Sequence, residues 1–306
     1  MLSADVDRYI ALRRALGWKL AKTERYLRAF ARYLGARGDT HIRSAALLEW
    51  VAAAGRTRYA RSERLRILAR FARFLHAEDH RHEIPPADIF SAPKIRPAPY
   101  IYTPDEIARI LDAAGALRHQ RPNPLRRELY VMLFGLIAAT GLRISEAIAL
   151  RLDDVWPNGV LHIRETKFCK SRLVPLHRTV VEALERYLVK RKRFAGSCEH
   201  LFPSAQLRAL CSTTVNYTFC CLLKRANIAP GRVRRPRIHD LRHTFATRAL
   251  ERCGAGRGEV ARHFVALSTY LGHADIRHTY WYLQATPEMM TGIAVAAEML
   301  IGSAAV

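Results

Sequence analysis

The sequence predicts a mainly α-helical chain in two parts, with one small antiparallel β hairpin set into the second part. Three observations carry this. Apolar residues recur at helical spacing through roughly the first 90 residues, with arginines between them. A proline-rich stretch then breaks the pattern. Beyond it helical patterns return, interrupted once by two short β-branched runs around a basic turn.

The elements follow in order. "DVDRYIALRRALGW" sets Val6, Ile10, Leu12 and Leu16 near helical spacing. "ERYLRAFARYLGARG" repeats the pattern, with Gly35 as its expected stop. "SAALLEWVAAAG" opens on Ser44 as an N-cap and closes on Gly55. "RSERLRILARFARFLHAE" reads as a basic amphipathic helix with Leu65, Ile67, Leu68, Phe71 and Phe74 inward, and Trp50 joins Phe71 in the core. Its arginines suit either a solvated face or a surface laid along phosphates. Prolines 85, 86, 93, 97 and 99 then forbid helix and favour extended chain. The expected division is a helical domain over 1–92, a linker over 93–102 and a second domain over 103–306. "TPDE" opens that domain's first helix, with Thr103 as cap, Pro104 at the first position and acids in the first turn. "GVLHIRETKFCKSRLVPL", residues 159–176, reads as a hairpin with its tip near Thr166 to Ser171, and helix resumes at Thr179. The apolar tail carries Met290, Ile293, Ala297 and Leu300 near one helical side.

Composition narrows the function. In 306 residues, 50 Lys and Arg stand against 27 Asp and Glu, a net charge of +23. Such an excess points to a polyanion, most often nucleic acid, because each phosphate contact releases condensed counterions. A solvated basic surface is the plainer alternative. The longest apolar runs, such as "VMLFGLIAAT", are too short to span a bilayer and are soon followed by Arg143. Cys169, Cys198, Cys211, Cys220, Cys221 and Cys253 form no CxxC pair and no zinc spacing, and read as reduced thiols of a cytosolic protein. His76, His80 and His82, near Glu78 and Glu83, show no clear metal geometry.

Four stretches of the second part carry candidate chemistry. In "ATGLRISEAIAL", Glu146 follows Arg143 by three, either orienting it or standing as a surface acid. Lys167 and Lys170 ride the hairpin turn. In "RIHDLRHTFAT", His239 and Arg242 share a helix face at i, i+3. In "YLGHADIRHTYWYL", His273 follows a glycine turn and precedes Tyr280 and Tyr282.

Each stretch alone is weak evidence. In this order "TGLRISE", "KFCKSRLVPL", "HDLRHTFAT" and "LGHADIRHTYWY" resemble the successive boxes of the tyrosine recombinases, or phage integrases, and their Xer-type members in particular. The resemblance covers the second part, and the two-part layout extends it to the whole chain. It implies an all-helical, SAM-like core-binding domain followed by a mixed α+β catalytic domain. It implies catalytic roles for Arg143, Lys167, His239, Arg242, His273 and Tyr282, with Asp240 and His243 supporting the helix. Aligned on "RLVPL", Lys167 takes the catalytic place and Lys170 the second basic place, although Thr166 and Phe168 stand where the family often has glycine. The family spacing of nine from the Leu-Gly-His histidine selects Tyr282 over Tyr280. Periodicity does not choose, since residues two apart on a helix lie ~200° apart.

The implied chemistry is consistent with these side chains. Charge gathers on the non-bridging oxygens of a phosphodiester in the transition state, and two guanidinium forks can stabilise it. A phenol with pKa ~10 needs a base such as histidine, or the arginines' field, to attack. A hairpin lysine can give the leaving 5′ oxygen its proton. The guanidinium groups supply the positive charge, so no metal is expected, and a phosphotyrosyl link conserves bond energy, so no nucleotide cofactor is expected. The expected partners are double-stranded DNA and other protomers, in a homo- or hetero-oligomer, a tetramer on synapsed DNA, joined through the C-terminal tail. The expected location is cytoplasmic and nucleoid-associated. The alternatives are a topoisomerase-like relaxation of strands, and a catalytically inert or architectural DNA-binding protein.

Overall fold

The computed structural model describes residues 2–18, 20–54, 57–86, 88–90, 98–118, 123–164, 171–252, 257–272 and 279. The chain forms two compact units, Met1–Arg96 and Pro97–Val306.

The first unit holds helices α1 (Leu2–Ala15), α2 (Ala21–Ala36), α3 (Ser44–Ala54) and α4 (Arg58–His76). α1 buries Leu2, Val6, Tyr9 and Ile10. Leu12 and Leu16 do not join them and are 49% and 65% exposed. Leu12 lies two residues past Ile10, ~200° round the helix, so it faces the other way. α2 runs through Gly35 to Ala36, so the expected stop comes late, and packing of Leu27, Phe30 and Leu34 outweighs the glycine's low helix propensity. Ser44 is the first helical residue, not the cap, and its N–H donates to Glu83 Oε2 at 2.7 Å. An acid distant in sequence thus does the cap's work. In α4, Leu65, Leu68, Phe71 and Leu75 are buried, while Ile67 and Phe74 lie half-buried at the edge. Tyr9 packs edge-on against Phe71, with ring centroids 5.4 Å apart.

The second unit opens with α5 (Pro104–Gly115). Its capping box is complete: Thr103 Oγ1 accepts from the Glu106 N–H at 3.1 Å, and Glu106 Oε2 accepts from the Thr103 N–H at 2.9 Å. α6 (Arg126–Thr140) is the central helix, buried through Leu129, Leu133, Phe134, Leu136 and Ile137. After α7 (Ile144–Ala149) and a 3-10 turn come β1 (Val155–Trp156), β2 (Val160–Ile163) and β3 (Arg172–Pro175). These form an antiparallel sheet in the order β1–β2–β3, with Leu161 opposite Val174 and Ile163 opposite Arg172. The expected hairpin therefore exists, and its turn residues 165–170 lie outside the described residues.

α8 (Arg178–Ala195) starts at a His177 cap, and α9 (Ser212–Arg225), α10 (Ile238–Glu251) and α11 (Arg257–Leu271) follow among the described residues. α10 and α11 meet through Ala246, Leu250, Phe264, Leu267 and Leu271. The extended residues before α5 are stitched to α10: the Tyr102 N–H donates to Thr244 Oγ1 at 2.9 Å, and the Tyr102 hydroxyl to the Arg237 carbonyl at 3.1 Å. No described helix is long and apolar enough to cross a membrane. Cys198, Cys211, Cys220 and Cys221 are free thiols, and Cys169 and Cys253 lie outside the described residues.

Candidate active site

The site is built on the C-terminal end of α11. A helix end leaves carbonyls without intrahelical partners and carries partial negative charge. Here three consecutive carbonyls, of Tyr270, Leu271 and Gly272, are taken by three arginines from three other elements. Arg172 Nε donates to the Tyr270 carbonyl at 2.8 Å. Arg242 Nη2 donates to the Leu271 carbonyl at 2.8 Å, and Arg143 Nη1 reaches the same oxygen at 3.4 Å. Arg143 Nη2 donates to the Gly272 carbonyl at 3.2 Å. The two arginines singled out in the sequence, far apart along the chain, thus meet on one oxygen.

The sequence around each arginine explains its placement. Arg242 projects from the first turns of α10 into the interior, 1% exposed, and its Nη1 donates to the Gly141 carbonyl at 2.7 Å. Gly141 is the left-handed C-cap of α6, with φ +65°. A Cβ there would stand 2.6 Å from Phe245 Cδ1 and 3.0 Å from Leu271 Cδ2, so the glycine of "TGLR" permits a close turn beside α10 and α11. Arg143 is the N-cap residue of α7, and its side chain is 30% exposed.

Glu146 is not a surface acid. It is the third residue of α7, 9% exposed, and its carboxylate is held by two guanidinium groups and one main-chain N–H. Arg143 Nη1 donates to Oε1 at 2.7 Å and the Arg143 N–H to Oε2 at 3.0 Å. Arg172 makes a two-pronged contact, Nη1 to Oε1 at 3.1 Å and Nη2 to Oε2 at 2.7 Å. Burial alone pushes this carboxyl up, but the hydrogen bonds and charge of Arg172, with those of Arg143, outweigh it and bring the value down to about 2. The same device opens α10. Asp240, 3% exposed, accepts from the Arg237 N–H at 2.8 Å and from Arg237 Nη2 at 2.9 Å. Each acid fixes the start of a helix beside a candidate catalytic arginine.

His239 lies at the exposed start of α10, with its ring edge-on to His243 at a centroid distance of 4.5 Å. Desolvation by the groups around the ring, then the charges of Arg242 and Arg237 and more weakly Arg143, push its pKa down to about 4, against an upward pull from Asp240. The imidazole is therefore neutral at pH 7 and can accept a proton.

Of the six expected site residues, Arg143, His239 and Arg242 are brought near one another, while Lys167, His273 and Tyr282 lie outside the described residues, as do Lys170, Tyr280 and the tail. Sequence reasoning missed Arg172. The signal was available: in "RLVP" the period of two puts Arg172 on the same face as the buried Val174.

Among the described residues, one group can be tested for a metal ion: His41, Asp79 and His82, with ligand atoms within 4.8 Å of one another. The donors do not fit a cation. Both Asp79 oxygens are held by Arg81, and His82 Nδ1 accepts from the Ile42 N–H at 3.1 Å, which leaves the ring proton on Nε2. His76 Nδ1 lies 2.6 Å from the His82 carbonyl, so these histidines tie the end of α4 to the start of α3.

Three guanidinium groups, only two of them answered by the Glu146 carboxylate, stand near a histidine whose pKa is lowered, a set of side chains suited to a phosphate group. Comparison with known proteins agrees. Residues 101–289 match the phage integrase family. The chain is 38% identical over 297 residues to a putative integrase/recombinase, y4rB, of Sinorhizobium fredii, covering 93% of each. It is 30% identical over 284 residues to the tyrosine recombinase XerD of Brucella melitensis, covering 89% of this chain and 88% of that one. In fold it resembles a lambda integrase tetramer bound to a Holliday junction, with TM-score 0.63 and 20% identity, covering 92% of this chain and 76% of that one. The chain belongs to the phage integrase family and is a tyrosine recombinase.

Proposed function

We propose that the protein is a site-specific DNA recombinase that breaks and rejoins strands through a 3′-phosphotyrosyl intermediate. The observation that carries this is the convergence of Arg143 and Arg242 on the Leu271 carbonyl, beside a histidine held neutral. The two guanidinium groups clamp the non-bridging oxygens of the scissile phosphate as charge develops. The Tyr282 hydroxyl attacks phosphorus, forming the phosphotyrosyl bond while the bond to the 5′ oxygen breaks. The phenol proton passes to a neutral imidazole, His239 or His273, and Lys167 protonates the leaving 5′ oxygen. Attack by another strand's 5′-hydroxyl reverses these steps and restores the backbone. Double-stranded DNA is the partner, and the relatives solved as dimers and tetramers on DNA support action in an oligomer. Residues 1–92 serve as the core DNA-binding domain, 93–102 as the linker and 103–306 as the catalytic domain. The apolar tail docks on a neighbouring protomer.

The test is covalent capture on nicked duplexes from a randomised site library, followed by the selected site alone. The wild-type chain and Tyr280→Phe are expected to form a protein–DNA adduct, and Tyr282→Phe to bind the site without forming one. Binding by wild type with no adduct would support an inert DNA-binding protein instead. An adduct retained in Tyr282→Phe and lost in Tyr280→Phe would move the nucleophile to Tyr280.

A further inference from the structure

Arg172 has no role in the reaction as proposed above, yet its charged side chain is nearly buried and held on both sides beside the site. It is the first residue of β3, paired with Ile163 across the hairpin, and so stands at the root of the turn that carries Lys167. Its side chain is 10% exposed and spends its three nitrogens on three fixed acceptors: two on the Glu146 carboxylate and one on the Tyr270 carbonyl. Only a planar fork with an Nε donor can satisfy both directions at once, and a lysine ammonium cannot.

We propose that Arg172 is a positioning residue for strand cleavage, which locks the root of the lysine hairpin to Glu146 and to the end of α11 and so sets where Lys167 stands relative to Arg143. Two features of the arrangement support this. First, the connection is direct. Glu146 bridges Arg172 to Arg143 through one carboxylate, and the Tyr270 and Gly272 carbonyls tie both arginines to the same helix end. A shift of β3 is therefore felt at the arginine pair. Second, a buried ion pair contributes little net stability over apolar packing of the same volume, so stability alone does not account for a guanidinium here. A rigid, directional link between two reacting elements does, because reacting groups misplaced by ~1 Å cost on the order of 100-fold in rate.

The proposal rests on the reading of Lys167 as the proton donor to the leaving 5′ oxygen, and the experiment separates the two. Single-turnover cleavage by the full chain is measured on the selected nicked site, with either oxygen or sulfur at the scissile 5′ position. Thiols ionise at ~8.5 and leave without a proton donor, whereas an alcohol needs one. Lys167→Ala and Arg172→Met are each expected to lose roughly 100-fold on the oxygen substrate. Lys167→Ala should return to within a few-fold of wild type on the sulfur substrate, and Arg172→Met should recover at least ~10-fold, the remainder being the share of its loss felt at Arg143. An Arg172→Met defect equal on both substrates, while Lys167→Ala is rescued, would show a merely structural role and overturn the proposal. If Lys167→Ala is not rescued, the lysine reading fails and the proposal falls with it. Wild type without an adduct on either substrate would instead remove the proposed function. Should Arg172→Met not fold, as judged by its melting and site binding, Arg172→Lys keeps the charge without the fork and carries the same expectation.

Discussion

Adding one methyl group at Gly272 tests the construction of the helix end. Gly272 has φ +67°, and a Cβ built there would lie 2.8 Å from Arg172 Nη1, 3.1 Å from its Cζ and 3.2 Å from its Cδ. The left-handed backbone costs a residue with a Cβ about 1 kcal/mol. The contact costs more, because Arg172 is not a loose surface chain that can swing away. Moving it breaks the fork on Glu146 and the bond to the Tyr270 carbonyl. Loss of one partner from a buried ion pair costs ~3–5 kcal/mol, and Arg143 still holds Glu146, so the lower end applies. Gly272→Ala is therefore expected to destabilise by about 4 kcal/mol in all. In an Arg172→Met background the contact with the guanidinium is gone, and only the backbone cost of about 1 kcal/mol remains. The difference is a coupling of about 3 kcal/mol, read from urea titrations of the full chain through the transition of the second unit. Equal costs in the two backgrounds would mean that the Cβ does not act on Arg172, and the reasoning would fail.

Glu146→Gln should flatten the acid dependence of stability. The folded carboxyl at about 2 lies below its ordinary 4.5, so its stabilisation is present above pH 4.5 and is lost as pH falls toward 2. That window is worth about 3 kcal/mol in wild type and nothing in the variant, and parallel pH slopes in denaturant midpoints would reject it. The His239 imidazole of the DNA-free protein should stay neutral through pH 6.5 and titrate near 4 by NMR, and a midpoint at 6.5 would remove the influence of the arginines. Deleting the chain from Pro287 onward should leave single-site DNA binding intact and weaken assembly. An unchanged sedimentation profile of the DNA complex would reject docking of the tail on a neighbour.

The sequence disclosed elements whose causes are local. Thr103, Pro104 and Glu106 announce the start of α5 because a capping box needs only adjacent residues. The two runs around residues 164–171 announce a hairpin because alternation and turn chemistry are written along the strand. Reading failed where the partner is distant. Ser44 looked like a cap, but Glu83, 39 residues on, accepts its N–H. Leu12 looked inward because loose counting of apolar residues ignores helical phase, and Leu16 because the helix ends at Ala15, before it. At the site, residue type and order named Arg143, His239 and Arg242, yet nothing local in the chain says that the two arginines gather on the end of α11. Arg172 was hidden because a charged residue on an inward strand face makes sense only with Glu146 opposite it.

Three guanidinium groups held at one place repel one another, and the helix end is what makes the arrangement tolerable. The Glu146 carboxylate answers part of the charge, and the Tyr270, Leu271 and Gly272 carbonyls answer more through the negative pole of α11. The arginines are thereby held in place before any phosphate arrives. The two candidate clamps are unlike in this state: Arg242 is 1% exposed and anchored at both ends of its fork, while the Arg143 side chain is 30% exposed. Arg143 is thus the arginine open to solvent, and Arg242 fixes the frame against which it is set. A carbonyl is a weaker acceptor than a phosphate oxygen, since hydrogen bonds to an ionised group are roughly twice as strong. An incoming phosphate therefore competes on favourable terms for Arg143 N–H groups now resting on Leu271 and Gly272, without the side chain having to be ordered at the moment of reaction. Glu146 sets the balance in that competition. Shared with Arg172, it holds Arg143 in place; left to Arg143 alone, its whole charge would oppose release of the guanidinium to the phosphate.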